Sequence, residues 1–127
     1  MRVMRLCTFD NGLCITEYHP IMSESESGNE WVFPIELVES EVVSGVEFVY
    51  NFVLDSGHLM EVNGVQCCTL AHGFKGSAVI EHQYFGTERV VKDLQRLSGW
   101  DSGCVVLSGA NAFRRNANDN LVCGMVE

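Results

Sequence analysis

Arg2-Val3-Met4-Arg5-Leu6-Cys7-Thr8-Phe9-Asp10-Asn11-Gly12-Leu13-Cys14-Ile15-Thr16 decides how the rest of the chain is read. Two apolar, β-branched runs (2–9 and 13–16) flank Asp10-Asn11-Gly12, and Asn-Gly supplies the positive φ that a tight turn between strands requires. The stretch predicts a hairpin. Working outward, the same grammar recurs. Trp31-Val32-Phe33 predicts a short strand ended by Pro34, which cannot donate to a ladder. Residues 41–54, rich in Val, Phe and Tyr, predict a long strand with a bulge at Ser44-Gly45. Asp55-Ser56-Gly57 turns the chain into a strand at 58–62, and Asn63-Gly64 turns it again into 65–70. The expected fold is mainly β, an assembly of hairpins.

Beyond Gly73 the pattern changes. Thr87 is suited to cap a helix, Val90, Val91, Leu94 and Leu97 recur at helical spacing through 88–97, and Gly99 fits the stop. One amphipathic helix of about three turns is predicted. Residues 111–120 are polar and amide-rich and read as a loop or frayed end.

Composition narrows the function. The 127 residues carry 17 Asp and Glu against 8 Lys and Arg, a net charge of −9, which repels phosphate backbones and argues against a nucleic-acid partner. No apolar run approaches the roughly 20 residues of a membrane span, and Met1-Arg2-Val3-Met4-Arg5 lacks the pattern of a signal peptide. The acidic run Ser23-Glu24-Ser25-Glu26-Ser27-Gly28-Asn29-Glu30 has no apolar anchor and reads as a solvated loop. Cys7, Cys14, Cys67, Cys68, Cys104 and Cys123 mostly sit in apolar runs without CxxC spacing. They read as reduced thiols in a cytoplasmic protein, with Cys7 and Cys14 in the core. Neighbouring Cys67 and Cys68 would face opposite sides of a strand, which disfavours a zinc set with His58 and His72. No metal or cofactor is expected. Trp31 and Trp100 read as packing anchors, and His82 has no role derivable from its neighbours.

Two segments suggest a family. Asn11-Gly12-Leu13-Cys14-Ile15-Thr16-Glu17-Tyr18-His19-Pro20-Ile21 resembles the Thr-x-x-His block of Hint (hedgehog/intein) domains. Val49-Tyr50-Asn51-Phe52-Val53-Leu54-Asp55-Ser56-Gly57-His58, running on to Asn63-Gly64-Val65 and Thr69-Leu70-Ala71-His72-Gly73, resembles their later strand pair and closing His. With the tail Glu81-His82-Gln83-Tyr84-Phe85-Gly86-Thr87-Glu88-Arg89-Val90-Val91-Lys92-Asp93-Leu94, the chain looks most like the Vint subfamily, Hint domains that accompany von Willebrand factor A modules. The resemblance implies a Hint-like β region at 1–73 and a Vint-type C-terminal extension at 74–127 that contains the helix.

It also implies a chemistry. Hint domains begin with a Cys or Ser that attacks the preceding carbonyl, turning an amide into a thioester or ester. Such attack needs a protonated leaving nitrogen and a polarised carbonyl. By resemblance His19 serves as acid to the departing amine, Thr16 hydrogen-bonds the strained peptide, and His58 and His72 flank the second half of the site. Asn51 stands where many relatives carry an orienting acid, but an amide does not titrate. Where inteins end in His-Asn, His72 is followed by Gly73, so Asn cyclisation is impossible there. The nucleophile block of the family precedes the Thr-x-x-His block by a few dozen residues, so the chain reads as N-terminally truncated and inactive alone. Its expected partner is its own flanking polypeptide or an upstream nucleophile-bearing segment. Two rival readings are a non-catalytic β interaction module derived from a Hint domain, and a cysteine hydrolase using Cys14 or Cys67 with a His.

Overall fold

The computed structural model describes residues 3–107 and 113–125. The fold is mainly β. The expected first hairpin pairs β1 (Val3–Thr8) with β2 (Cys14–Thr16), with Leu6 opposite Thr16 and Thr8 opposite Cys14. Its turn uses Gly12 at φ +92° and is held by the Asn11 side chain, which accepts from the Leu13 N–H at 3.0 Å. β1 also pairs antiparallel with β5 (Ser40–Ser44), giving a three-stranded sheet in the order β2-β1-β5.

A second sheet, β4-β3-β7-β6, contains β3 (Ile21–Ser25), β4 (Gly28–Val32), β6 (Leu59–Val62) and β7 (Val65–Cys68). Here the structure corrects the reading of the acidic run. Ser23 to Glu30 is not a loop but the outer half of the β3–β4 hairpin, turning at Glu26-Ser27. The register is set at the base, where buried Ile21 faces Val32 and Met22 faces Trp31, and the ladder then extends outward past Glu24, Asn29 and Glu30, which are exposed. The β6–β7 hairpin forms at Asn63-Gly64 as expected. Between the sheets lies one core of Cys7, Leu13, Ile15, Ile21 and Cys67. Cys14, expected in that core, is exposed instead, because Ile15 takes the inward position and strand side chains alternate.

Residues 41–54 do not form one strand. β5 ends at Ser44, Gly45 adopts φ +81°, and the following nine residues pair with no strand among the described residues.

The C-terminal part has its own core of Ala71, Tyr84, Val90, Val91, Leu94 and Val122. Helix α1 (Glu88–Gln95) buries Val90, Val91 and Leu94, and the Thr87 side chain caps it by accepting from the Arg89 N–H. Gly99 stands at φ +102° just past the helix, where a Cβ would sit 2.1 Å from the Cys104 carbonyl oxygen. The polar tail is a second correction. Phe113–Arg115 (β8) pairs with Val122–Met125 (β9), and only residues 116–120 form the turn between them. Buried Val122 and Phe113, edge-on to Phe85 at 5.4 Å, dock this hairpin on the helix core, a tertiary anchor that outweighs the amide-rich composition. Asn111 lies outside the described residues. Among the described residues no helix is long and apolar enough to cross a membrane.

Candidate functional site

The two cores meet where β7 runs out through Cys68-Thr69-Leu70-Ala71-His72. Cys67 belongs to the first core and Ala71 to the second. This connection is fixed at almost every peptide. Thr69 N–H donates to the His58 carbonyl at 3.0 Å, Leu70 N–H to the Phe52 carbonyl at 2.9 Å, Ala71 N–H to the Phe85 carbonyl at 2.7 Å, and Gly73 N–H to the Gly86 carbonyl at 2.8 Å.

His19 reaches the same place from the turn after β2. That turn occupies Glu17 to His19. His19 Nε2 lies 2.8 Å from the Cys68 carbonyl oxygen. A carbonyl only accepts, so Nε2 carries the proton and the neutral ring keeps its lone pair on Nδ1. Burial holds the His19 pKa below its ordinary range, partly offset by that hydrogen bond. Burial therefore favours the neutral form of the His19 ring.

His72 is buried, 8% exposed. Its Nδ1 accepts the Phe74 N–H at 2.8 Å, which puts the proton of the neutral ring on Nε2. Burial lowers its pKa, and His58, His82 and His19 are all near enough to lower it further. The other three histidines of the chain thus lie within electrostatic reach of His72. The ring stacks on Phe74 at 5.0 Å, and Phe74 stacks on Trp31 at 5.8 Å, so Trp31 forms part of the wall of the site. Gly86 closes the other side, where a Cβ would meet His72 Cε1 at 3.1 Å and the His82 carbonyl oxygen at 2.7 Å.

Two side-chain atoms among the described residues are buried without a hydrogen-bond partner, His58 Nδ1 and Thr69 Oγ1. They belong to residues whose backbones are bonded to each other. Two non-glycine residues here also hold left-handed backbones, His58 at φ +54° and Ala71 at φ +59°. Orphaned polar groups and strained backbone each cost about 1–3 kcal/mol, and such costs concentrate where a ligand or reaction uses them.

The other expected residues sit as follows. Thr16 is half-buried at the end of β2, and its carbonyl receives the His19 N–H at 3.4 Å, so its link to His19 runs through the backbone. Asn51 is exposed, one residue before Phe52, whose carbonyl holds Leu70. Thr69 was missed. The signal was present, since Thr69-Leu70-Ala71-His72 repeats the Thr-x-x-His spacing of Thr16 and His19, and only folding distinguishes the buried copy. His82 has a structural task, accepting the Tyr84 and Phe85 N–H groups at 3.1 and 3.0 Å on the approach to α1.

The thiols divide clearly. Cys7, Cys67 and Cys68 are buried, and burial raises each pKa, that of Cys68 to about 12. Burial thus disfavours the thiolate form at all three positions. Cys14 and Cys104 are exposed. Among the described residues no three His, Cys, Asp or Glu side chains gather as a metal-binding set.

No curated protein matches the chain at a significant level. The Vint family, described as a Hint domain, matches residues 1–124, almost the whole sequence and the full span of the site. The expected kinship is thereby established, and the chain belongs to the Vint family of Hint domains.

Proposed function

We propose that this domain supports autoprocessing of the Hint type, cleaving a peptide bond by acyl transfer to a Cys or Ser carried on polypeptide outside these 127 residues. The observation that supports it best is the pair of orphaned atoms, Thr69 Oγ1 and His58 Nδ1, beside the neutral His19. In this reading the incoming thiol or hydroxyl gives its proton to His19 Nδ1, and its sulfur or oxygen bonds to the carbonyl carbon. The C–N bond then breaks as the departing amine takes the proton from His19. The buried Thr69 hydroxyl donates to the carbonyl oxygen as negative charge develops there. His72 serves as a positioning residue, because its Nδ1 is already engaged and its ring is clamped between Phe74 and Gly86. Thr16 and Asn51 have a smaller part in this scheme than the family resemblance implies, Thr16 setting the turn that carries His19 and Asn51 lying exposed at the rim. The buried thiols favour an external attacker over Cys7, Cys67 or Cys68. The proposed partner is thus the flanking polypeptide, with neither nucleic acid nor membrane involved, in a reducing, cytoplasmic setting.

The test joins a reporter protein through a Cys-initiated linker to residue 1 and follows its release with a mild thiol by intact mass. Release that falls sharply in Thr69→Val and His19→Gln is the expected result. A reporter that stays attached, or comes off equally fast in both variants, overturns the proposal.

A further inference from the structure

The segment after β5 is Val46-Glu47-Phe48-Val49-Tyr50-Asn51-Phe52-Val53-Leu54, a composition that belongs in a strand, yet it joins no sheet. Phe48, Tyr50 and Phe52 are exposed, and so are Val49 and Val53 beside them. Side chains of an extended chain alternate between faces, so both faces of this segment are uncovered. Tyr50 at 74% and Phe48 at 52% exposure are far from any core position. The backbone is equally unspent. Among the described residues its one backbone hydrogen bond is that from Leu70 N–H to the Phe52 carbonyl. Proteins guard open strands of this kind with Lys, Pro or a covering element, and residues 46–54 contain neither Lys nor Pro.

The charge distribution identifies what fits. Residues 6–74 contain eleven Asp and Glu and not one Lys or Arg, whereas 75–127 carry six of each sign. Glu39, Glu41, Glu47 and Asp55 all stand exposed in and around the open segment. A second copy of the chain would bring the same acidic half against itself, so self-pairing is opposed. A strand of opposite charge is favoured.

We infer that residues 46–54 are a docking edge for an extended polypeptide strand in which Lys or Arg alternates with β-branched or aromatic residues, bound by strand addition. Backbone pairing supplies the affinity, the exposed Phe, Tyr and Val side chains grip alternate residues of the guest, and the acidic flanks select its charge. Through Phe52 and Leu70 the docked strand runs beside Thr69 and His72. The docking does not depend on the peptide-bond chemistry proposed above, and its test reads binding alone.

The probe is a labelled peptide, Lys-Val-Thr-Tyr-Arg-Val-Lys-Ile-Thr-Val-Arg-Tyr, titrated with the full chain and followed by anisotropy and amide exchange. Two controls accompany it, one with every Lys and Arg replaced by Glu and one N-methylated at alternate amides. Binding of the basic peptide with new protection across 46–54 is expected, with the acidic peptide at least about tenfold weaker because like charges face each other. N-methylation should abolish binding. Tyr50→Pro, which removes one amide donor, and Glu47→Lys, a surface change that leaves folding intact, should each weaken binding severalfold. The inference fails if the two charge forms bind equally or the N-methylated peptide binds as well as its parent. It also fails if protection appears elsewhere, or if the chain alone sediments as a dimer that already protects 46–54.

Discussion

His19 and Cys68 lie forty-nine residues apart in sequence, and the His19 ring donates to the Cys68 carbonyl at 2.8 Å. The same Cys68–Thr69 peptide unit gives its N–H to the His58 carbonyl. One peptide is thus gripped at both ends by histidine-bearing loops, one after β2 and one before β6. The grip fixes the tautomer of His19 and turns Thr69 into a buried position. It also gives His19 a structural task that can be tested apart from its proposed chemistry.

His19→Ala should leave the Cys68 carbonyl without its donor and cost about 1–2 kcal/mol in urea unfolding. His19→Gln can still donate to that carbonyl, so most of the stability should return. Proton transfer should not, and release of a fused reporter should remain about 10²–10⁴-fold slower than in the parent. A Gln variant that processes normally would remove His19 from the mechanism.

Thr69→Val should behave in the opposite way. The hydroxyl is buried without a partner, so an isosteric methyl should leave stability unchanged or raise it by up to about 1 kcal/mol. Processing should fall nonetheless. A clear loss of stability instead would mean that Oγ1 is satisfied in solution.

Stability should depend on pH in a definite direction. His19, His72 and His82 all have folded-state pKa values below the ordinary 6.5. As pH falls through 6.5 the unfolded chain takes up protons that the folded chain refuses, so stability is full above that pH and declines below it. Cys68 acts at the other limit, since its thiol is pushed up to about 12 from 9.0. Above pH 9 the unfolded chain loses that proton first, and stability declines again. Urea midpoints measured from pH 5 to 10 should trace a plateau near pH 7–8.5 with losses on both sides, and His19→Gln should flatten part of the acid limb.

Thiol labelling at neutral pH should sort the cysteines by burial. Cys14 and Cys104 should react quickly with a mild disulfide reagent, whereas Cys7, Cys67 and Cys68 should react only as fast as the protein opens. Peptide mapping reads the order, and rapid labelling of Cys67 would favour its place in the cysteine-hydrolase reading.

Gly86→Ala probes the wall of the site. The added methyl would press on the His82 carbonyl oxygen and the His72 ring at 2.7 and 3.1 Å, a backbone clash that cannot relax cheaply. A destabilisation of about 1–3 kcal/mol is expected from such overpacking, read by thermal or urea unfolding.

Local chemistry determined much of this protein. Asn11-Gly12 and Asn63-Gly64 fix two hairpins because few other dipeptides accept their backbone, and Thr87, Val90, Val91 and Leu94 fix a helix because cap and apolar face agree. The family blocks were legible for the same reason, as short ordered strings. Where composition and packing disagree, only the tertiary structure decided. Ser23 to Glu30 looks like a loop but rides outward on a ladder set by Ile21, and Phe113 and Val122 pull an amide-rich tail into a hairpin. Residues 46–54 look like a strand, yet strands require partners and none is at hand among the described residues. Two Thr-x-x-His strings are indistinguishable on paper. Burial beside the Cys68–Thr69 peptide selects the second threonine and unites it with the first histidine, because desolvation and hydrogen-bond partners are properties of neighbours distant in sequence.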